Sequence, residues 1–199
     1  MFQELLKNKT FKSKVKHFFE KNEAEILDII LFGSVVKGKD RPKDIDIILL
    51  FKNKEKIEIA YLLRKELKEF KEDINVITKN YNSLMSENFI AKESFLSEGY
   101  SLINNKFISE EFGYTNFMLF KYELIGFSQS KRMRFQYSLY GRNKAIGMIK
   151  ELSLIKFSDS ILLSYIENSE KTKEYLNSWN IKFEEIPILI PNRLKLGEK

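Results

Sequence analysis

Hydrophobic and polar positions along the chain follow two different periods. Apolar residues at helical spacing predict helices over residues 3–20, 54–70, 83–99, 117–127 and 169–179. Short apolar runs bounded by polar residues predict strands over residues 25–32, 44–51, 74–78, 100–104 and 183–191. The N-terminal elements alternate between the two types, which predicts an α/β arrangement with a buried sheet.

The polar segment "NNKFISEEFGYTN" separates this alternating pattern from a differently organised C-terminal part. We therefore predict two domains, residues 1–108 and residues 109–199. The first has the α/β pattern, and the second is predicted to be a small α+β module.

Composition narrows the classes of protein that remain. The 199 residues include no cysteine, which excludes disulfides and thiolate chemistry. No apolar run approaches the roughly 20 residues that span a bilayer, and the first residues lack a signal-peptide core, so we expect a cytoplasmic protein without a membrane partner. The formal charge of +6 suits a polyanionic partner.

Two aspartates stand one residue apart at the start of the apolar strand "DIDIILLF". Residues i and i+2 of a strand point to the same face, so Asp44 and Asp46 project together while Ile45 faces the other way. Adjacent carboxylates repel each other unless a cation lies between them, and carboxylate oxygens suit Mg²⁺ or Mn²⁺. The pair is predicted to bind a divalent metal ion.

Gly33 and Ser34 end the preceding strand and begin a basic loop. A residue without a side chain lets backbone N–H groups approach a phosphate, and a hydroxyl adds a further donor. Lys37 and Lys39 of the loop are candidates for binding the same triphosphate, although a basic loop beside acidic residues is also ordinary charge balance.

A third carboxylate, Asp73, opens the next predicted strand. It is expected at the same sheet edge as Asp44 and Asp46, where it would ligate a second ion or take the proton from an attacking hydroxyl.

The ordered set of strand, "GS", strand with "DID", helix, and strand with a third aspartate resembles the DNA polymerase β nucleotidyltransferase superfamily. It is most similar to the minimal nucleotidyltransferases of that group, over about residues 25–80. The resemblance implies a polymerase-β-like core whose mixed sheet is flanked by helices. It also implies roles for five residues: Gly33 and Ser34 hold the triphosphate, Asp44 and Asp46 bind the metal ions, and Asp73 completes the triad.

The same sequence has simpler interpretations. Lone Gly-Ser or Asp-x-Asp pairs are common in turns, and Lys43 stands where many members of the superfamily have serine. A domain that binds nucleotides without turnover would carry much the same pattern. His17, the only histidine, lies on the first predicted helix and is interpreted as a packing or surface residue.

The positive charge is concentrated between residues 121 and 150, which contain seven lysines and arginines and only one glutamate. In "KRMRFQYSLYGR", alternate residues are apolar and polar, which predicts a half-buried strand with a basic outer face, although a helix is a second interpretation. Cations beside exposed tyrosines suit single-stranded RNA. The candidate RNA-binding residues are Lys131, Arg132, Arg134 and Arg142, and the competing interpretation is a solvated edge strand.

Together these features predict a template-independent, metal-dependent nucleotidyltransferase that moves a nucleoside monophosphate from a nucleoside triphosphate to RNA. Two alternatives remain open. One is nucleotidylation of a small molecule or of a protein partner, as an antitoxin-like enzyme would do. The other is a catalytically inactive module that binds nucleotide or RNA.

Overall fold

A computed structural model of the chain describes residues 2–70, 73–194 and 196. Its contacts divide the chain into two compact units, residues 1–113 and residues 114–199, five residues beyond the predicted boundary. No helix among the described residues is long and apolar enough to cross a membrane.

The N-terminal unit is built from short helices and a mixed five-stranded sheet. Its strands are β1 (Ile26–Phe32), β2 (Ile45–Phe51), β3 (Ile74–Asn80), β4 (Tyr100–Ser101) and β5 (Lys106–Phe107). Its helices are α1 (Phe2–Lys7), α2 (Lys9–Asn22), α3 (Ile57–Leu67), α4 (Tyr81–Met85), α5 (Lys92–Glu98) and α6 (Ile108–Glu111). The spatial order of the strands is β3-β2-β1-β4-β5.

The sheet is mixed because β2 and β3 run parallel while the other neighbours are antiparallel. The central strands β1 and β2 are apolar on both faces, as expected for strands covered on both sides. On one face, Ile30, Ile48 and Leu50 pack against Leu84 and Phe89. The predicted polymerase-β-like mixed sheet flanked by helices is confirmed.

Two of the predicted helices are interrupted. The first divides at Asn8, whose side chain accepts a hydrogen bond from the Phe11 N–H and so begins a new helix. The helix predicted over residues 83–99 divides into α4 and α5, and Asn80 and Ser83 form a capping box at the start of α4.

The C-terminal unit has a four-stranded antiparallel sheet of order β7-β8-β6-β9. Its strands are β6 (Tyr114–Glu123), β7 (Ile155–Ser158), β8 (Ile161–Tyr165) and β9 (Lys182–Pro191). Its α-helices are α7 (Gln129–Tyr140), α8 (Met148–Glu151) and α9 (Ser169–Ser178).

Two sequence predictions for this unit are wrong. The helix predicted over residues 117–127 is largely strand β6, where Phe117, Met118 and Phe120 are buried from the two faces of a central strand. The strand predicted at "KRMRFQYSLYGR" is helix α7. The Ser128 side chain caps the start of α7, and Phe135 and Leu139, four residues apart, form its buried face.

Candidate active site

Three strands bring the predicted site residues to one edge of the N-terminal sheet, meaning the side at which β1 ends and β2 and β3 begin. Strand β1 ends at Phe32, and its antiparallel neighbour β2 begins beside it, with Phe32 paired to Asp46. Strand β3 runs parallel to β2, so it also begins at this edge, with Asn75 paired to Asp46. The carboxylates at the start of β2 and the Gly-Ser turn after β1 therefore lie next to each other.

Gly33 and Asp46 approach each other closely. A Cβ atom added at Gly33 would lie 2.8 Å from Asp46 Oδ2, a distance that real Cβ contacts essentially never show. Gly33 also has φ +78°, in the region that side chains disfavour. A side chain at position 33 would therefore be strained by the backbone conformation and would displace the Asp46 carboxylate.

A single helical turn follows Gly33. The Lys37 N–H donates to the Gly33 carbonyl and the Lys39 N–H donates to the Ser34 carbonyl, both at 3.2 Å. Val35 and Val36 are buried and anchor the turn to the core. Ser34 is half-buried within it.

The structure separates the two lysines predicted to bind the triphosphate. The Lys37 ammonium lies 2.9 Å from Glu98 Oε1, and the Glu98 side chain is only 6% exposed. Lys39 is exposed. Lys37 is therefore held against α5 and ties the turn to that helix, whereas Lys39 is accessible to a ligand.

Asp46 has the electrostatic environment expected of a cation ligand. Burial raises the pKa of its carboxyl, the hydrogen bond from Asn75 partly offsets this, and the charge of Asp44 raises the pKa further. A cation between the two carboxylates would remove the repulsion between Asp44 and Asp46.

In the parallel pairing of β2 and β3, Asp73 is in register with Asp44. Ile45 pairs with Ile74, and the Ile45 N–H donates to the Asp73 carbonyl at 3.0 Å. Asp73 itself is exposed. Among the described residues, no three Asp, Glu, His or Cys side chains are gathered closely enough to hold a metal ion. The role of Asp73 in ligating a second ion stays a prediction.

The donor set fits a hard divalent cation. Asp44 and Asp46 supply oxygen atoms only, and Mg²⁺ commonly binds through one or two carboxylates together with water and substrate phosphates. The adjoining turn after Gly33 is where such phosphates would lie. The protein thus offers part of a coordination shell that a bound triphosphate would complete.

The predicted RNA-binding residues lie on or just after helix α7, and most of them contact their own unit. Arg132 donates from Nε to the Phe127 carbonyl at 3.3 Å and from Nη2 to the Leu124 carbonyl at 3.1 Å. The Lys131 ammonium lies 3.7 Å from the centre of the Phe127 ring, and the Arg142 guanidinium lies 4.6 Å from that of Tyr137. The flat basic strand face predicted from the sequence does not exist.

Sequence reasoning missed two residues of the site, Asn75 on β3 and Glu98 on α5. A signal for Asn75 was present, because "DINV" repeats the pattern of "DIDI" and the two segments lie in register. No signal in the sequence indicated that Glu98, at the end of α5, would pair with Lys37.

Comparison with known proteins gives one family. Residues 13–101 match the family model described as polymerase beta, nucleotidyltransferase. No curated protein matches the chain.

Three solved structures, each aligned with 46% of this chain, are toxin–antitoxin complexes. One contains AMP-PNP and is 22% identical over 71% of its chain, with a TM-score of 0.35. A mutant MntA–HpeT complex is 20% identical over 70% of its chain, with a TM-score of 0.35. A complex of tri-AMPylated Shewanella oneidensis HEPN toxin with MNT antitoxin is 19% identical over 67% of its chain, with a TM-score of 0.31. At these TM-scores, the similarities bear on neither the fold nor the activity of this chain.

Proposed function

Because residues 13–101 match the polymerase β nucleotidyltransferase family model, we propose that this chain transfers a nucleoside monophosphate from a nucleoside triphosphate to RNA. The observation that carries the proposal is the approach of Asp46 to Gly33. It joins a carboxylate pair suited to a cation with a turn suited to a phosphate at one sheet edge.

The residues of the N-terminal unit have separate tasks in this reaction. Asp44 and Asp46 would hold Mg²⁺ or Mn²⁺, which when bound neutralises phosphate charge and stabilises the leaving pyrophosphate. The turn that starts at Gly33 presents backbone N–H groups and the Ser34 hydroxyl to the triphosphate. Lys39 adds an exposed positive charge, and Lys37 fixes the turn through Glu98.

Chemistry at the α-phosphate requires little from the protein beyond position and charge. The acceptor hydroxyl oxygen bonds to the α-phosphorus while the bond to the β-phosphate oxygen breaks, so pyrophosphate leaves. We assign Asp73 the role of accepting the hydroxyl proton, because it is exposed at the sheet edge where the strands of the site begin.

The C-terminal unit is proposed to hold the RNA. Its sequence carries 14 lysines and arginines against nine acidic residues, whereas the N-terminal unit is almost balanced. A cleft of about 590 Å³ is lined by two cations and by aromatic rings, and also by two acidic residues, of which Asp159 lies 2.6 Å from the Lys156 ammonium; the lining includes Arg132, Tyr140, Lys156, Glu123 and Asp159. Arg134 is exposed on α7, the helix that also carries Arg132 and Tyr140. Aromatic rings and cations together suit unpaired bases and their phosphates.

The test is to incubate the protein with each α-labelled triphosphate, Mg²⁺ and a whole-cell extract, and then to treat the products with ribonuclease or protease. Label that ribonuclease releases and protease does not supports RNA as the acceptor. Label that follows a single protein band instead contradicts the RNA assignment and indicates nucleotidylation of a protein.

A further inference from the structure

One oxygen of the Asp46 carboxylate is held by a side chain of the neighbouring strand β3. The Asn75 side-chain amide donates from Nδ2 to Asp46 Oδ1 at 3.1 Å. The other oxygen, Oδ2, lies in the space left by the missing side chain of Gly33. Asn75 is exposed, so its position beside Asp46 is not a consequence of core packing.

The register of β2 and β3 determines which side chain can stand next to Asp46. Paired residues on neighbouring strands are about 4.8 Å apart, whereas residues two apart along one strand are separated by about 6.6 Å. Asp46 pairs with Asn75, and Asp73 lies two residues before Asn75. The place where a third carboxylate would share a cation with Asp46 is therefore occupied by a neutral amide.

We propose that Asn75 is the positioning residue of the metal site. Its N–H fixes the orientation of Asp46 and favours the charged carboxylate, and its neutrality adds no negative charge beside Asp46. An ionised carboxylate in its place could not donate to Asp46 and would add a further negative charge directly beside it. Asn75 thus sets a weaker, more readily exchanged metal site than a triad of carboxylates would.

This inference rests on the proposed role of Asp46 as a metal ligand, and its test measures metal binding without catalysis. Mn²⁺ is titrated into the full-length protein without nucleotide, and free Mn²⁺ is followed by electron paramagnetic resonance. Asn75→Ala should weaken Mn²⁺ binding by about tenfold, in the range typical for residues that orient a metal ligand. Asn75→Asp should tighten it by about tenfold, because it adds a carboxylate beside Asp46.

Asp73→Asn is the matched control on the same strand. We expect it to weaken Mn²⁺ binding less than Asn75→Ala does, because Asp73 is in register with Asp44 and lies two residues before the position that pairs with Asp46. An affinity that falls with Asp73→Asn and is unchanged by Asn75→Ala would overturn the inference and assign the third position to Asp73.

The variant Asp46→Asn separates failure of this inference from failure of the proposed function. Loss of binding in Asp46→Asn without any change in either Asn75 variant would overturn only the role of Asn75. Binding that survives Asp46→Asn, or that is undetectable in the unmodified protein and in Asn75→Asp alike, would overturn the metal site and the inference together. Circular dichroism of each variant confirms that the fold is intact.

Discussion

Gly33 and Asp46 stand so close that the smallest side chain at position 33 would bring its Cβ within 2.8 Å of Asp46 Oδ2. The end of β1 and the start of β2 therefore form one unit, in which the turn that would bind phosphate and the carboxylate that would bind metal constrain each other. Disturbing either should disturb both.

Gly33→Ala should abolish transfer while the protein still folds. The added methyl displaces Asp46 and is strained at φ +78°, which costs about 1–2 kcal/mol of the free energy of unfolding. Gly113→Ala is the matched control, because Gly113 also has φ +78° but open space around its Cβ position. Denaturant unfolding should show similar losses for the two variants, with nucleotidyl transfer lost only in the first. Equal activity in both would contradict the role of the contact.

Lys37 is expected to act on stability first and on nucleotide binding second. Lys37→Met leaves Glu98 as an unpaired buried carboxylate and should cost about 2–3 kcal/mol of stability. Lys37→Met combined with Glu98→Gln should recover much of that loss, because the unpaired charge is gone. Lys39→Met, in contrast, should raise the KM for the triphosphate without changing the melting temperature. A Lys37→Met variant with normal stability and a raised KM would assign Lys37 to the triphosphate directly.

Asp28 should make the protein less stable as pH rises from about 4 to 6. Burial raises the pKa of this carboxyl from 3.8 to about 6, and its hydrogen bonds with the Ser101 hydroxyl and the Ile29 N–H only partly offset this. Between these two pH values, the folded state binds more protons than the unfolded state, so the free energy of unfolding falls as pH rises. The loss is complete a little above pH 6 and amounts to about 3 kcal/mol.

Asp28→Asn removes this proton-binding group, so the difference in melting temperature between the variant and the unmodified protein should grow in favour of the variant from pH 4 to pH 8. Ser101→Ala removes a hydrogen bond that lowers the pKa of Asp28 and should move the pH window upward. A melting-temperature difference that is constant with pH would show that the carboxyl has the same pKa folded and unfolded.

Arg132 and Arg134 should differ in what their loss affects. Arg132→Ala leaves the Leu124 and Phe127 carbonyls without its hydrogen bonds and should cost about 1 kcal/mol of stability. Arg134→Ala should leave stability unchanged, weaken RNA binding, and reduce the salt slope of that binding by about 0.7, the value for one single-strand phosphate contact. Filter binding of a short RNA at several salt concentrations measures the slope, and an unchanged slope would place Arg134 outside any RNA contact.

The N-terminal unit was largely predictable from the sequence because its signals are local. Runs such as "ILDIILF" and "DIDIILLF" are apolar on both faces and flanked by polar turns, which fits central strands of a covered sheet. The approach of Gly33 to Asp46 follows from the antiparallel pairing of these two strands. The contribution of Asn75 depends on the register of β2 and β3, for which the repeat of "DIDI" in "DINV" is a local signal. The contribution of Glu98 depends on helix placement, which spacing along the chain does not encode.

The secondary structure of the C-terminal unit was harder to predict, because the apolar residues of its segments fit both the helical period and the alternation of a strand. In α7, Met133, Phe135 and Tyr137 alternate as they would in a strand, yet only Phe135 is buried, and it pairs with Leu139 four residues later. The residues that decide for a helix are Ser128 at its start and Gly141, with φ +87°, at its end. Strands β7 and β8 were not predicted, because the hairpin that joins them is short and only β8 has a continuous apolar run.

The most direct measurement of the central claim is the incorporation of label from α-labelled nucleoside triphosphates into macromolecules, with Mg²⁺, by the unmodified protein and by Asp44→Asn and Asp46→Asn. We expect label to be incorporated by the unmodified protein and to fall by at least about 100-fold in each variant, as when a group that stabilises transition-state charge is lost. Each variant should remain folded by circular dichroism. Incorporation that is absent with all four triphosphates, or that is equal in the protein and its Asp46→Asn variant, would contradict the assignment of this sheet edge as a nucleotidyl transfer site.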